Sequence, residues 1–321
     1  MKIAILGATS EIAKDLILSF SAQDKQELVL FARRPKEVIR WLSTVNLPNK
    51  YAVYGFESFH HVSDLGAIIN FVGVGNPAQA AAMGASIFDV TLKYDTIALN
   101  YLDKYPSCRY IFLSSGAAYG TSFNEPVTEA TQATAPINNF QPQDWYGVAK
   151  LYAECRHRSL PYLSIIDIRV FNYFSSTQNM DARFLITDIV RAIRDKATLK
   201  TSSEIIVRDY ISSEDFYQLI SRILNSSIKN DVVDCYSNAP IDKPALLNFM
   251  QENFGLQYEL VPQNIAINTG NVRSHYFSLN RRARQFGYAP IRTSLENLER
   301  EFNLIFKLSP TLLGTGITIV K

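Results

Sequence analysis

The chain has 321 residues, 47% of them hydrophobic and 19% charged, with a formal net charge of +2. That length buries a large core and points to two lobes, while the near-neutral charge argues against a nucleic-acid-binding or membrane surface. No apolar run is long enough to span a bilayer, and the apolar start Ile3 to Leu6 is too short for a signal peptide, so a cytoplasmic protein is expected. Cys108, Cys155 and Cys235 match no metal or redox spacing and read as buried or half-buried thiols in a reducing compartment. The histidines form no metal set either: His60 and His61 are adjacent, so their side chains should diverge, and a surface position is expected.

Taken in chain order, short apolar runs alternate with helical stretches. Lys2–Leu6 reads as a strand, Glu11–Ser21 as a helix with Ile12, Leu16 and Phe20 on one face, and Glu27–Phe31 as a second strand. A turn at Arg33-Arg34-Pro35 opens a helix to about Val45. Tyr51–Tyr54 and Ala67–Val72 are the next strands, Ala85–Lys104 a long helix, Arg109–Ser114 a fifth strand, Asp144–Leu160 a helix and Tyr162–Val170 a sixth strand. This alternation predicts an α/β protein with a doubly wound parallel sheet, because parallel strands require crossover helices. The second half is less regular. Phe184–Lys196, Ser213–Leu224, Pro244–Phe254 and Ser294–Phe302 read as helices, and Ile205–Val207 and Val232–Tyr236 as short strands. We expect a dinucleotide-binding domain over 1–172 with returns at about 212–236, and a smaller mixed α/β substrate lobe from 173–211 and 237–321.

Ligands of such sheets gather at the carboxyl ends of the strands. "GATSEIA" stands at the end of the first strand, where Gly7 supplies the bend and Ser10 and Ala13 occupy positions usually held by further glycines. Ser10 is a candidate N-cap, and the helix N-terminus would carry the affinity for phosphate. Glu11 is compatible with a pyrophosphate only if its carboxylate turns outward. At the end of the fifth strand, "IFLSSGAAYG" places Ser114 and Ser115. In "DWYGVAK", Tyr146 and Lys150 are four apart and share a helix face. An ammonium beside a phenol favours the phenolate, so Lys150 would lower the pKa of Tyr146 and fit it for moving a proton to or from a carbonyl or alcohol oxygen.

The order and spacing of "GATSEIA", "FLSSGAAYG", "WYGVAKLYAE", "IRVFNYF", "VRDYISSEDF" and "SLNRRARQFGYAPIRTSLENLEREF" resemble the extended short-chain dehydrogenase/reductases of the NAD-dependent epimerase/dehydratase group, which act on nucleotide sugars. The resemblance covers nearly the whole chain and implies a Rossmann-type fold. It implies that Ser115, Tyr146 and Lys150 are catalytic, Tyr146 as acid/base and Lys150 on the nicotinamide ribose. Gly7, Thr9, Ser10, Glu11 and Ile12 would form the cofactor turn. Asn172 would contact the substrate phosphates, and Arg208 would clamp the diphosphate, a role suited to a forked guanidinium; a surface ion pair with Asp209 or Glu214 is the competing reading of Arg208. A homodimer through helices such as Leu92–Lys104 and Gly147–Leu160 is also implied, and no metal.

Two departures narrow the chemistry. Nucleotide-sugar 4,6-dehydratases carry an Asp-Glu pair directly after the catalytic Ser/Thr, and this chain has Gly116-Ala117. The cysteine that a 3,5-epimerase-reductase would have at Ala117 is also missing. NAD-preferring sites end the second strand with a carboxylate, whereas here it ends in Ala32-Arg33-Arg34, so NADP(H) is preferred, with Arg33 and Arg34 on the 2′-phosphate, and NAD is the second choice. Capping of the turn at Pro35 is the alternative role for those arginines. The expected function is an NADP(H)-dependent reductase of a nucleotide-linked 4-keto-6-deoxy sugar. A 4-epimerase with retained NAD is the alternative, and a non-catalytic NADP sensor a third reading that the intact Ser115, Tyr146 and Lys150 disfavour. The segments around Asn179–Arg183 and Asn264–His275 would choose the sugar, without a decisive signature.

Overall fold

A computed structural model describes residues 1–23, 25–74, 80, 82–120, 122–262 and 273–307. The first half follows the expected alternation: β1 (Lys2–Leu6), α1 (Glu11–Gln23), β2 (Glu27–Phe31), α2 (Pro35–Thr44), β3 (Ala52–Tyr54), β4 (Ala67–Asn70), α3 (Ser86–Lys104), β5 (Arg109–Ser115), α4 (Trp145–Arg158) and β6 (Ile165–Val170). Together with a later strand, β11 (Asn230–Cys235), these build a seven-stranded sheet in the order β11-β6-β5-β4-β1-β2-β3. Every neighbouring pair in it is parallel.

Alternation along β1 shows why the sheet is covered twice. Ile3 and Ile5 face a core shared with Leu16, Ile17 and Phe20 of α1 and with Phe216, Leu219 and Ile220 of α6 (Ser213–Leu224). Ala4 and Leu6 face the opposite core, with Leu99 and Leu102 of α3 and Ala153 of α4. A strand buried on both faces needs apolar residues at every position, and Ala67, Ile68 and Ile69 of β4 meet that need.

The rest of the chain forms β7 (Asn172–Tyr173), α5 (Leu185–Arg194), β8 (Thr198–Thr201), β9 (Val207–Arg208), β10 (Tyr210–Ile211), β12 (Ile241–Asp242), α7 (Lys243–Phe254), β13 (Gln257–Leu260), β14 (His275–Tyr276) and α8 (Ser294–Lys307). Small sheets pair β7 with β10, β8 with β13, and β9 with both β12 and β14. A separate core of Phe174, Ile189, Val190, Leu246, Met250 and Phe302 holds this part together. Several of these strands are only two residues long and carry no period for a sequence to display. Of the segment expected to choose the sugar, residues 264–272 lie outside the described ones.

Three local expectations are corrected. His60 and His61 end a 3-10 turn, Phe56–His61, and both are exposed, but their rings approach to 3.8 Å between centroids instead of diverging. Cys155 is exposed on α4, unlike the buried Cys108 and Cys235. Strand β4 stops at Asn70, two residues early, because the Asn70 side chain takes over the pairing: its Oδ1 accepts from the Val72 amide at 2.9 Å.

The face under α3 and α4 holds buried charge. His157 lies between Asp167 (Nδ1 to Oδ1, 2.6 Å) and Asp95 (Nε2 to Oδ1, 2.8 Å). Arg158 pairs with Asp167 at 2.9 Å, and Arg156 pairs with Asp95. Asp95 also accepts from the Tyr110 hydroxyl at 2.9 Å, which in turn accepts from Asn70 at 2.9 Å. A hydrogen-bonded chain therefore runs from the helix pair to the end of β4. Burial alone would strip the proton from His157, but Asp167 and Asp95 outweigh it and raise the imidazolium from 6.5 to about 9. Its contribution to stability is thus complete below the ordinary histidine pKa and is lost as pH rises through about 9. Denaturant midpoints of the natural chain and of His157→Gln should therefore differ most near pH 6 and converge towards about pH 9.5. A difference that stays constant across that window contradicts a charged His157.

Candidate active site

The chain winds from β1 outward to β3 and then returns to β4 on the other side of β1. A crevice opens at such a reversal, outside the carboxyl ends of the two strands. Gly7 forms its floor with φ +82°, and a Cβ there would lie 3.0 Å from the Val72 amide nitrogen. Both the left-handed backbone and the close approach therefore demand glycine. Gly7 and Ala8 donate to the Phe31 carbonyl at 2.9 and 3.0 Å, which aims the turn at the start of α1. Thr9, Ser10, Glu11 and Ile12 are half-buried at that helix start. Glu11 turns to Lys14, 3.3 Å away, so its carboxylate is engaged along the helix. Ala13 is fully buried, where a methyl fits against the sheet.

Arg33 and Arg34 follow β2, and both are exposed. They are not equivalent. Arg34 pairs with Glu37 at 3.0 Å and makes no side-chain cap of α2. Arg33 has no hydrogen bond or ion pair with the described residues. Of the two, Arg33 is the guanidinium unengaged among the described residues.

Ser115 ends β5 and caps the 3-10 turn Gly116–Tyr119, its hydroxyl accepting from the Ala117 amide at 3.1 Å. Tyr146 sits in the first turn of α4. A Cβ at Gly147 would lie 2.5 Å from the Ala117 carbonyl, so only glycine lets the start of α4 press against this turn. That contact brings the start of α4, and Tyr146 with it, up to the turn that Ser115 caps. Burial pushes the Tyr146 phenol up to about 12, although the Ser115 hydrogen bond and the Arg273 charge pull it down. Lys150 is buried one turn later. Its ammonium donates to the Leu113 carbonyl at 2.6 Å and lies 4.4 Å from the Phe112 ring centre and 6.0 Å from that of Tyr146. Burial lowers Lys150 to about 8, with Glu154, Asp167 and Asp95 holding it from falling further. The ammonium is thus bound to a main-chain carbonyl, and burial is the largest influence on the Tyr146 phenol. Beneath the site, Ser114 donates to Glu154 at 2.5 Å, and Glu154 pairs with Arg169.

Opposite the hydroxyls, β14 presents Tyr276. Its hydroxyl is 3.3 Å from Ser115 Oγ, and its ring packs against Phe123 and Phe171 at 4.8 and 5.1 Å between centroids. The guanidinium of Arg208 lies 6.0 Å and that of Arg273 4.9 Å from the same ring. Arg208 donates to the Val207 and Arg273 carbonyls at 2.8 and 2.7 Å. It does not pair with Asp209, which is taken by Ser237 and Ser294, nor with Glu214, which pairs with Arg292 and Arg300. The side-chain amide of Asn172 donates to the Asp209 and Tyr276 carbonyls at 3.3 and 3.2 Å, which occupies both N–H donors. It braces β14 and leaves only its oxygen for a ligand.

Sequence reading missed Tyr276, Arg273 and Phe123. The first two lie in "VRSHYF", just ahead of the resembling stretch that begins at Ser278, and an arginine three residues before a tyrosine was the available signal. Their convergence on Ser115 depends on pairing between β14 and β9, which two-residue strands do not announce.

A family model described as the NAD dependent epimerase/dehydratase family matches residues 3–235. No curated protein sequence matches the chain significantly. Solved structures share the fold at low identity. UDP-glucuronic acid 4-epimerase from Bacillus cereus, solved with UDP-glucuronic acid and NAD, is 14% identical, with 96% of this chain and 100% of that one covered and a TM-score of 0.77. The dTDP-glucose 4,6-dehydratase of Bacillus anthracis, solved with NAD, is 16% identical, with coverage of 97% and 98% and a TM-score of 0.78. UDP-glucose 4-epimerase from Thermotoga maritima, solved with UDP-glucose, is 17% identical, with coverage of 97% and 100% and a TM-score of 0.76. The family model spans well over half of the chain, which therefore belongs to the NAD dependent epimerase/dehydratase family.

Proposed function

We propose that the chain is an NADP(H)-dependent reductase of a nucleotide-linked 4-keto-6-deoxy sugar. The observation that carries this reading is the start of α4, with Tyr146, pressed against the turn that Ser115 caps, and that turn holds Gly116-Ala117 where an eliminating enzyme has carboxylates. A neutral phenol is a proton donor, and reduction of a ketone needs one; oxidation of an alcohol, the first step of a 4-epimerase, needs the phenolate. In this mechanism Ser115 holds the C4 oxygen and Tyr146 protonates it as the alkoxide forms. Buried Lys150 lies near Tyr146, and with the donors left beyond its bond to the Leu113 carbonyl its ammonium would stabilise charge and hold a ribose hydroxyl.

The Gly7 floor and the start of α1 suit a pyrophosphate, since exposed helix amides favour an anion there and a side chain at Gly7 would block it. NADP(H), when bound, supplies the hydride. Arg33 would take the 2′-phosphate, with Arg34 free to join it on release from Glu37. Arg208, which has no carboxylate partner among the described residues, would take the substrate diphosphate. A homodimer through the outer face of α3 and α4, where Leu92 and Tyr152 are exposed, completes the proposal.

NADPH should bind at least tenfold more tightly than NADH in a fluorescence titration, and Arg33→Ala should remove most of the difference. Tighter NADH binding would restore the 4-epimerase reading with retained NAD. Tyr146→Phe should lower turnover of 4-keto-6-deoxy nucleotide sugars by roughly 10²–10⁴-fold, the range for general acid catalysis, and near-normal turnover would remove Tyr146 from the chemistry. Arg208→Ala should raise KM much more than it lowers kcat, and an unchanged KM argues against a diphosphate at that position.

A further inference from the structure

We propose that Tyr110 is a positioning residue of the cofactor crevice, locking the side-chain amide of Asn70 in the one orientation that holds the Val72 main chain at the crevice wall. The main chain at Val72 and Gly73 stands between two parts of that crevice. A Cβ on Gly7 would lie 3.0 Å from the Val72 amide nitrogen, and a Cβ on Gly73 would lie 3.3 Å from the Lys150 ammonium. A small shift of this stretch therefore alters both the floor under Gly7 and the space beside Lys150. Two hydrogen bonds set its course. Phe71 continues the line of β4 by donating to the Leu6 carbonyl at 2.8 Å, and Val72 leaves it by donating to Asn70 Oδ1 at 2.9 Å. In the second, a side chain two residues back stands in for a strand partner.

An asparagine amide can be turned end for end with little change of shape, which exchanges its acceptor for two donors. The neighbours of Asn70 exclude the turned form. Tyr110 Oη lies 2.9 Å from Asn70 Nδ2 and 2.9 Å from Asp95 Oδ1. A carboxylate only accepts, so the one phenol proton goes to Asp95, and Tyr110 meets Asn70 with a lone pair. Burial first, and then the Asp95 charge, push the Tyr110 phenol well above its ordinary pKa, so it keeps that proton. With the amide turned, its oxygen would face an oxygen that has no proton to give, and its NH2 would face the Val72 N–H. Asn70, Tyr110 and Asp95 are all buried, so bulk water does not replace the bonds that turning would break.

The consequence for NADPH rests on the cofactor crevice proposed above, but the lock on Asn70 can be read in cofactor-free protein. Tyr110→Phe removes one oxygen and keeps the core filled. In protein labelled at valine nitrogen, the Val72 amide resonance is identified by its loss in Val72→Ile. Asn70→Ala should move its proton to higher field, as loss of the hydrogen bond requires. Tyr110→Phe should move it in the same direction, and the double variant should match Asn70→Ala alone. A Val72 resonance that is unchanged in Tyr110→Phe overturns the proposal. In a fluorescence titration with NADPH, Tyr110→Phe should raise Kd about fivefold, in line with one buried hydrogen bond, with no further rise when it is added to Asn70→Ala. An equal rise in both backgrounds contradicts action through Asn70. If neither NADPH nor NADH binds the natural chain, the crevice reading fails while the Val72 resonance still decides the role of Tyr110.

Discussion

The contact between Gly147 and the Ala117 carbonyl sets the geometry of the site. Ser115 ends a sheet strand, and Tyr146 begins a helix some thirty residues further on. The two meet because α4 can settle against the 3-10 turn without a side chain in between. From this contact follow the approach of Tyr146 to the turn capped by Ser115 and the burial that raises the phenol pKa. Lys150 follows one turn along and reaches the end of β5 through the Leu113 carbonyl. Tyr276 then closes the group from a different part of the chain, so that Ser115 becomes the meeting point of three segments.

Below this arrangement lies a buried layer of charge. Glu154 and Arg169 form one pair, and the Asp95–His157–Asp167 cluster with Arg156 and Arg158 forms another group. Taking ions out of water is costly, and such groups contribute little net stability unless nearly every lone pair and proton is matched. The carboxylates here are well matched: Asp95 meets Tyr110, Arg156 and His157, and Glu154 meets Ser114 and Arg169. The carboxylates of Glu154, Asp167 and Asp95 keep the Lys150 pKa, lowered by burial, from falling below about 8. The same layer links the outer helices to Asn70 and Val72 at the crevice, so rigidity at the helix pair is coupled to the shape of the crevice.

Much of the first half was legible because its pattern is local. Each strand is an apolar run, each crossover helix has one apolar face, and Gly7, Ser115, Tyr146 and Lys150 stand where strand ends and helix starts place them. What was not legible depended on pairing over long distances. The strands β7, β9, β10, β12 and β14 have two residues each, and β8 and β13 pair across more than fifty residues. Residue type alone also does not show how a side chain is engaged within the fold. Asn172 read as a phosphate ligand, yet its donors are spent on carbonyls of the backbone. Arg33 and Arg34 read as a pair, yet one of them is engaged by Glu37 four positions after Arg33. Lys150 read as the group that tunes Tyr146, yet a main-chain carbonyl claims its ammonium.

The proposed reaction donates a proton to a C4 oxygen and delivers hydride to the same carbon. The most direct test uses NADPH carrying deuterium at the transferable position of the nicotinamide, with a nucleotide-linked 4-keto-6-deoxy sugar, and reads the product by NMR. The account predicts one deuterium at C4 of the sugar, in a single configuration, with one NADPH consumed per product. A product without deuterium at C4, or a sugar inverted at C4 with no net consumption of NADPH, would contradict it.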